Sequence, residues 1–247
     1  MVRRVLIRGV TAGAVILGAE AAYAVLRPVP RQTEFDPSAV LGDPSDPPIR
    51  VAVLGDSSIT APGVAGPHEI WVRLICDRVA ETRHVTLRSF AVSGSRAEDL
   101  LRDQLERTLA FQPDLVIVSV GANDVIHGVG IGRFERRLDE LVAALVGTGA
   151  LVLLSGVGDI GTIPRLKPPL RNLLTRRSSR FNRVHQMVAS RYGVHVVEHR
   201  KDNPTIWYSD RALWSADLFH VSAAGHKRWA ESTWRTLEPL LEKHGSG

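Results

Sequence analysis

Residues 51–63 read VAVLGDSSITAPG, and this stretch decides the fold. Val51, Ala52, Val53 and Leu54 form a short apolar run rich in β-branched side chains, the pattern of a buried strand. The run stops at Gly55-Asp56-Ser57-Ser58, and Pro62-Gly63 follows as a turn signal. A buried strand that breaks into Gly-Asp-Ser puts a hydroxyl at its carboxyl end. That is where open α/β sheets carry their ligand crevices.

Downstream of this stretch, helix and strand patterns alternate. Trp71 to Arg83 has the periodicity of an amphipathic helix, and Val85 to Val92 alternates as a second strand. Ser95-x-x-Glu98 reads as a capping box for a helix with Leu100, Leu101, Leu105 and Leu109 on its inner side. Leu115 to Val120 is the most strand-like run. A helix over Phe134 to Leu145 and a fourth strand at Leu151 to Leu154 follow. Beyond a Pro/Arg-rich loop come a helix over Ser178 to Tyr192, a fifth strand at Val194 to Val197, and a last helix from Ser222 to Lys243. Short apolar strands alternating with helices predict a parallel sheet covered on both faces. The expected fold is a three-layer α/β/α sandwich over residues 49–244, with a five-stranded parallel sheet in flavodoxin-like order.

Upstream, residues 27–48 hold six prolines and little periodicity, and read as an extended linker. Arg3, Arg4 and Arg8 precede a mostly small and apolar Gly9 to Leu26, with Ala22-Tyr23-Ala24 offering a small-x-small cleavage site. Residues 1–26 are therefore expected to be a signal peptide or signal anchor. The protein is then exported, and either secreted or held at the cell envelope by its N-terminus. The competing description is a tail on a cytosolic protein.

The formal charge is +5, with much of the excess in the three N-terminal arginines and in Arg165 to Arg183. Such clustering suits an anionic membrane or cell-wall surface. Solvated arginines on helix faces are the reading to prefer, and 165–183 also reads as a mobile lid. Nucleic acid is not an expected partner, because no aromatic-interleaved basic stripe accompanies the charge. The single cysteine, Cys76, excludes an internal disulfide framework, and its helical setting points to a buried thiol.

Three strand ends carry short polar, glycine-containing loops: Gly55-Asp56-Ser57-Ser58, Ser93-Gly94-Ser95 and Gly121-Ala122-Asn123-Asp124. Asp217-Leu218-Phe219-His220 precedes the final helix and falls on the same rim. Acyl transfer requires these parts. A serine hydroxyl needs an adjacent imidazole to take its proton, and the imidazole needs an orienting carboxylate. The oxyanion needs donors, each worth roughly 3 kcal/mol in the transition state. Ser57 would be the nucleophile, His220 the base and Asp217 its orienting partner. The N–H groups of Ser57 and Gly94 and the amide of Asn123 would be the donors.

These segments resemble the four blocks of the SGNH (GDSL-type) hydrolase family: GDS at 55–57, a glycine at 94, GAND at 121–124 and DxxH at 217–220, in the family's order. The resemblance implies an esterase, lipase, thioesterase or carbohydrate deacetylase that uses neither metal nor organic cofactor. It implies Ser57, Asp217 and His220 as the triad, with Gly94 and Asn123 as oxyanion donors. The substrate would be a small-molecule or polymer-borne carboxylic ester, a lipid ester or an O-acyl carbohydrate. Two departures stand out. GDSS places Ser58 as a rival hydroxyl, and SFAVSGS lacks the asparagine that often precedes the glycine.

Among the other histidines, His226 is expected to point away from the rim, His199 to face solvent and His127 to sit on a loop. Trp207, Tyr208, Trp214 and Phe219 read as core or lid packing ahead of a sugar platform. A non-catalytic envelope-binding protein of the same fold is the alternative function.

Overall fold

A computed structural model describes residue 20, residues 32–199 and residues 205–244. The expected targeting segment, apart from Glu20, lies outside the described residues. Six strands form one sheet: β1 (Ala39–Leu41), β2 (Pro48–Gly55), β3 (His84–Ser89), β4 (Leu115–Ser119), β5 (Leu151–Ser155) and β6 (His195–Val197). Their spatial order is β1-β3-β2-β4-β5-β6, with β2 to β6 parallel. The five parallel strands, numbered among themselves, run 2-1-3-4-5, the flavodoxin-like order expected. The sixth strand was not foreseen. β1 pairs antiparallel with β3 at the sheet edge, Ala39 opposite Leu87, inside the range read as linker.

Successive side chains of a strand point to opposite faces, and this divides the core in two. Ala52, Leu54, Val116 and Val118 face one side, and Val51, Val53, Leu115 and Ile117 the other, all fully or almost fully buried. Burial on both faces is why these strands are uniformly apolar rather than alternating.

The first side is covered by α3, α5 and α6. Helix α3 begins at Ala97–Asp99, passes through a π-helical stretch at Leu100–Gln104 and ends as Leu105–Phe111. Helix α5 is Ile131–Val146 and α6 is Leu170–Tyr192. The second side is covered by α2 (Trp71–Val79) and the last helix, α8 (Ala223–His244). Three short helices complete the chain: α1 (Ser57–Thr60), α4 (Ala122–Ile126) and α7 (Ile206–Ser209).

Two local expectations are corrected. Helix α3 is not capped by a Ser95/Glu98 box; the Asp99 carboxylate accepts the Arg96 N–H at 3.0 Å, one residue later. Helix α6 starts at Leu170, eight residues before the expected Ser178, directly after Pro168-Pro169. Most of the Arg165–Arg183 segment is therefore helix rather than loop. Cys76 is buried as expected, and burial pushes its thiol up to about 12.

Candidate active site

The chain passes from β2 to β3 on one side of β2 and then returns to lay β4 on the other. This reversal is the topological switch point, and a crevice opens beyond the carboxyl ends of the two flanking strands. Gly55-Asp56-Ser57 leaves β2 there, and Gly121-Ala122-Asn123 leaves β4. A cleft of about 1140 Å³, its open mouth included, runs along this edge. Ser57, Asn123, Ser155 and His220 are among its lining residues.

Ser57 opens α1. Asp56 caps this helix, its carboxylate accepting the Ser58 N–H at 2.9 Å. Burial raises the Asp56 carboxyl, against the bonds from Ser58 and Asn123. The end of β2 is held from behind by Gln104, fully buried in the π-helical stretch. Its Oε1 accepts the Gly55 N–H at 2.9 Å, and its Nε2 donates to Gly55 O at 2.9 Å and Ser95 Oγ at 3.2 Å. Gly55 tolerates no side chain, because a Cβ would stand 2.6 Å from Ser119 O.

The two hydroxyls are placed differently. Ser58 Oγ is tied to Ser119 Oγ at 2.7 Å, at the end of β4. The Ser57 hydroxyl has no hydrogen-bond partner among the described residues and lines the cleft.

Asp217 and His220 lie in the loop before α8. His220 Nδ1 donates to Asp217 Oδ2 at 2.6 Å. Asp217 Oδ1 accepts from Ser215 Oγ at 2.6 Å and from the N–H groups of Phe219 and His220 at 2.8 and 2.9 Å. Burial alone would raise the Asp217 carboxyl, but the bonds from His220, Ser215 and the backbone outweigh it and hold it well below the ordinary carboxylate range. The carboxylate therefore stays ionised and fixes the imidazole with Nδ1–H toward itself, leaving the Nε2 lone pair free to accept a proton. No hydrogen bond joins His220 Nε2 to Ser57 Oγ here, although both residues line the same cleft.

The three donors differ. Ser57 N–H has no acceptor among the described residues, as befits the first position of a helix. Gly94 is exposed with φ +79, and open space lies where its Cβ would be, but it does not line the cleft. Asn123 Nδ2 is already engaged, donating to Asp56 Oδ2 at 3.0 Å and Ser95 O at 3.2 Å. Asp124 anchors the same loop by accepting the Ala97 N–H at 3.1 Å, and burial pushes its carboxyl up to about 6.

Two histidine expectations fail. His199 is buried, not solvent-facing; its Nε2 bonds Ser155 Oγ at 2.9 Å and its ring meets Trp71 and Trp229 edge-on or tilted. His226 points toward the cleft rather than away, because one turn of α8 brings it beneath the loop carrying His220. Its Nδ1 accepts the Trp71 N–H at 3.4 Å, and burial, with His220 nearby, pushes it down to about 3. His127 is exposed on its loop as expected, with Nδ1 at 2.8 Å from Asn123 O.

Four of the five tryptophans, Trp71, Trp207, Trp214 and Trp229, line the cleft. Trp71 and Trp229 were missed because they sit within helix patterns that account for them as core. The available signal was the His226-x-x-Trp229 spacing, which puts both on the α8 face that His220 heads. Among the described residues, no group of three or more His, Cys, Asp or Glu is placed to hold a metal.

Fold and site together define an SGNH-type α/β domain. Residues 53–228 match the GDSL-like Lipase/Acylhydrolase family, and the chain belongs to that family. It is 28% identical over 198 residues to a GDSL-like esterase of Mycobacterium tuberculosis, covering 78% of this chain and 63% of that relative. It thus spans less than two thirds of that relative's length. It is also 28% identical over 191 residues to Esterase TesA of Pseudomonas aeruginosa, covering 76% of this chain and 88% of the relative. A crystal structure of TesA superposes with a TM-score of 0.65 at 27% identity, covering 77% of this chain and 99% of that one.

Proposed function

We propose that the chain is a serine esterase or acyl hydrolase that cleaves a carboxylic ester through an acyl-enzyme. The observation that carries this is the 2.6 Å Asp217–His220 bond in a cleft that also holds the untethered Ser57 hydroxyl. The Ser57 Oγ–H proton passes to His220 Nε2 as Oγ bonds the ester carbon. The carbon–alkoxy bond then breaks, and the alcohol leaves with that proton. Water repeats the sequence on the acyl-enzyme and releases the acid. The developing oxyanion takes the free N–H of Ser57, and that of Gly94 once the loop carrying this exposed residue closes over the substrate. Asn123 Nδ2 joins them by turning one N–H from Asp56 or Ser95 toward the substrate.

The substrate is an uncharged lipid ester or O-acyl carbohydrate: the cleft is walled by tryptophans, and none of the described residues lining it is Lys or Arg. The protein works outside the cytoplasm, directed there by residues 1–26; the basic start and the small, apolar run of this segment support this. Hydrolysis of p-nitrophenyl esters from acetate to palmitate by the full chain tests the assignment. Ser57→Ala should lose at least about 10³-fold in kcat, and unaltered turnover would sink the proposal. Failure of the wild type to turn over any ester or take a fluorophosphonate label would favour a binding protein.

A further inference from the structure

Helix α6 carries six arginines and no aspartate or glutamate in its 23 residues. One stripe of it, Leu174, Ser178, Phe181, Val184 and Val188, is buried against the core. Another consists of Leu173, Arg176, Arg180, Arg183 and Met187, each three or four residues beyond the last, so they share one face over about 21 Å. All five are exposed, Leu173 at 44% and Met187 at 48%.

The three arginines of this face differ from seven others that form ion pairs among the described residues. Arg73 pairs with Asp77, Arg78 with Glu231, Arg133 with Glu98 and Arg191 with Asp139. Arg177, on the side of α6 toward α4, donates to the carbonyls of Val125 and Val129 at 3.1 and 2.9 Å. Arg176, Arg180 and Arg183 have no carboxylate partner among the described residues. A row of unpaired cations ending in two exposed apolar side chains is an incomplete surface.

We propose that this face of α6 docks on an anionic lipid bilayer. The guanidinium groups meet headgroup phosphates, and Leu173 and Met187 enter the boundary with the acyl chains. A soluble acidic polymer would match the arginines but has no place for the two apolar ends. The segment expected to be a signal peptide or anchor meets the same helix. Glu20, within the apolar N-terminal stretch, accepts the N–H of Leu170, the first residue of α6, at 3.0 Å. The proposal is independent of the catalytic assignment.

The test uses the full chain with a single environment-sensitive dye on the face. Cys76 is the only native cysteine and is buried, so Leu173→Cys or Met187→Cys can be labelled selectively. On vesicles of phosphatidylglycerol and phosphatidylcholine, the dye should shift to the blue and brighten several-fold. On phosphatidylcholine alone it should not, and salt at about 0.5 M should reverse the change. The triple variant Arg176→Glu, Arg180→Glu, Arg183→Glu should lose the response with far-UV dichroism unchanged; should charge reversal unsettle the helix, a triple Arg→Gln variant gives the same reading. An equal shift on both vesicles, or its survival in the triple variants, overturns the proposal. So does the same shift on a soluble acidic polysaccharide without lipid. Attachment through the N-terminal stretch alone leaves the α6 dye in water and counts equally against it.

Discussion

At the scale of single residues, the site depends on how completely Asp217 is satisfied. Its carboxylate accepts four hydrogen bonds, only one of them from the His220 imidazole. Asp217→Asn would keep much of the loop's shape but present an amide where Nδ1–H needs an acceptor. We expect kcat to fall by roughly 10³- to 10⁴-fold with folding preserved, as steady-state kinetics and thermal melts would show. The low folded pKa of Asp217 stabilises the protein above the ordinary carboxylate pKa and loses that stabilisation only in strong acid. Ser57, Asp217, His220 and Asn123 were legible in the chain because each belongs to a short motif whose chemistry is local. His199 and His226 were not, because what brings them to the cleft is the docking of α8 and the end of β6 against Trp71. Beyond the His226-x-x-Trp229 spacing, neighbouring residues carry no trace of that.

At the scale of elements, two helices reach the site through bonds rather than through catalytic groups. Trp71, at the start of α2, donates its indole N–H to Ser58 O at 2.9 Å and its backbone N–H to His226 at 3.4 Å. One residue thus joins the element that bears Ser57 to the helix that follows His220. Trp71→Phe removes the indole bond and keeps the ring. If the bridge sets the spacing of nucleophile and base, kcat should fall about tenfold with KM little changed; a loss confined to KM would contradict it. Gln104 plays the matching part in α3, where the π-helical stretch turns it onto Gly55. Gln104→Leu strands the Gly55 N–H in the core, whereas Gly55 O keeps the Val92 N–H at 3.1 Å. The change should cost about 1–3 kcal/mol by denaturant unfolding. The helices were legible from periodicity, as far as their lengths. The π-helical stretch has the same apolar spacing as an ordinary helix, so sequence could not separate them. Strand β1, three residues long, owes its existence to β3 and leaves no pattern of its own. Helix α6 was shortened in the reading because its first two turns are rich in arginine, although Pro169 before them is a start signal.

At the scale of the whole molecule, the layers make the protein sensitive to acid. His185 and His226 lie in opposite faces of the sandwich, and burial pushes them down to about 4 and about 3. Each is neutral when folded and takes a proton near pH 6.5 when unfolded, so stability falls as pH drops below about 6.5. At pH 5 the loss is about 2 kcal/mol for each. Asp124, raised to about 6, works in the opposite direction, so the comparison should be made between variants. Relative to wild type, His226→Phe should gain about 2 kcal/mol between pH 7.5 and pH 5 in urea melts, whatever its effect at neutral pH. The same layers made the fold readable: uniformly apolar strands can only be central and covered twice, and that limits the topologies to a few.

The tryptophans that wall the cleft have one more consequence. With four of five indoles on that wall and the fifth, Trp234, further along α8 under Arg78, the protein's ultraviolet emission belongs mainly to its cleft. Colour and brightness will follow what enters there, so the molecule carries its own optical gauge of occupancy, with no dye or coupled reaction needed to read it.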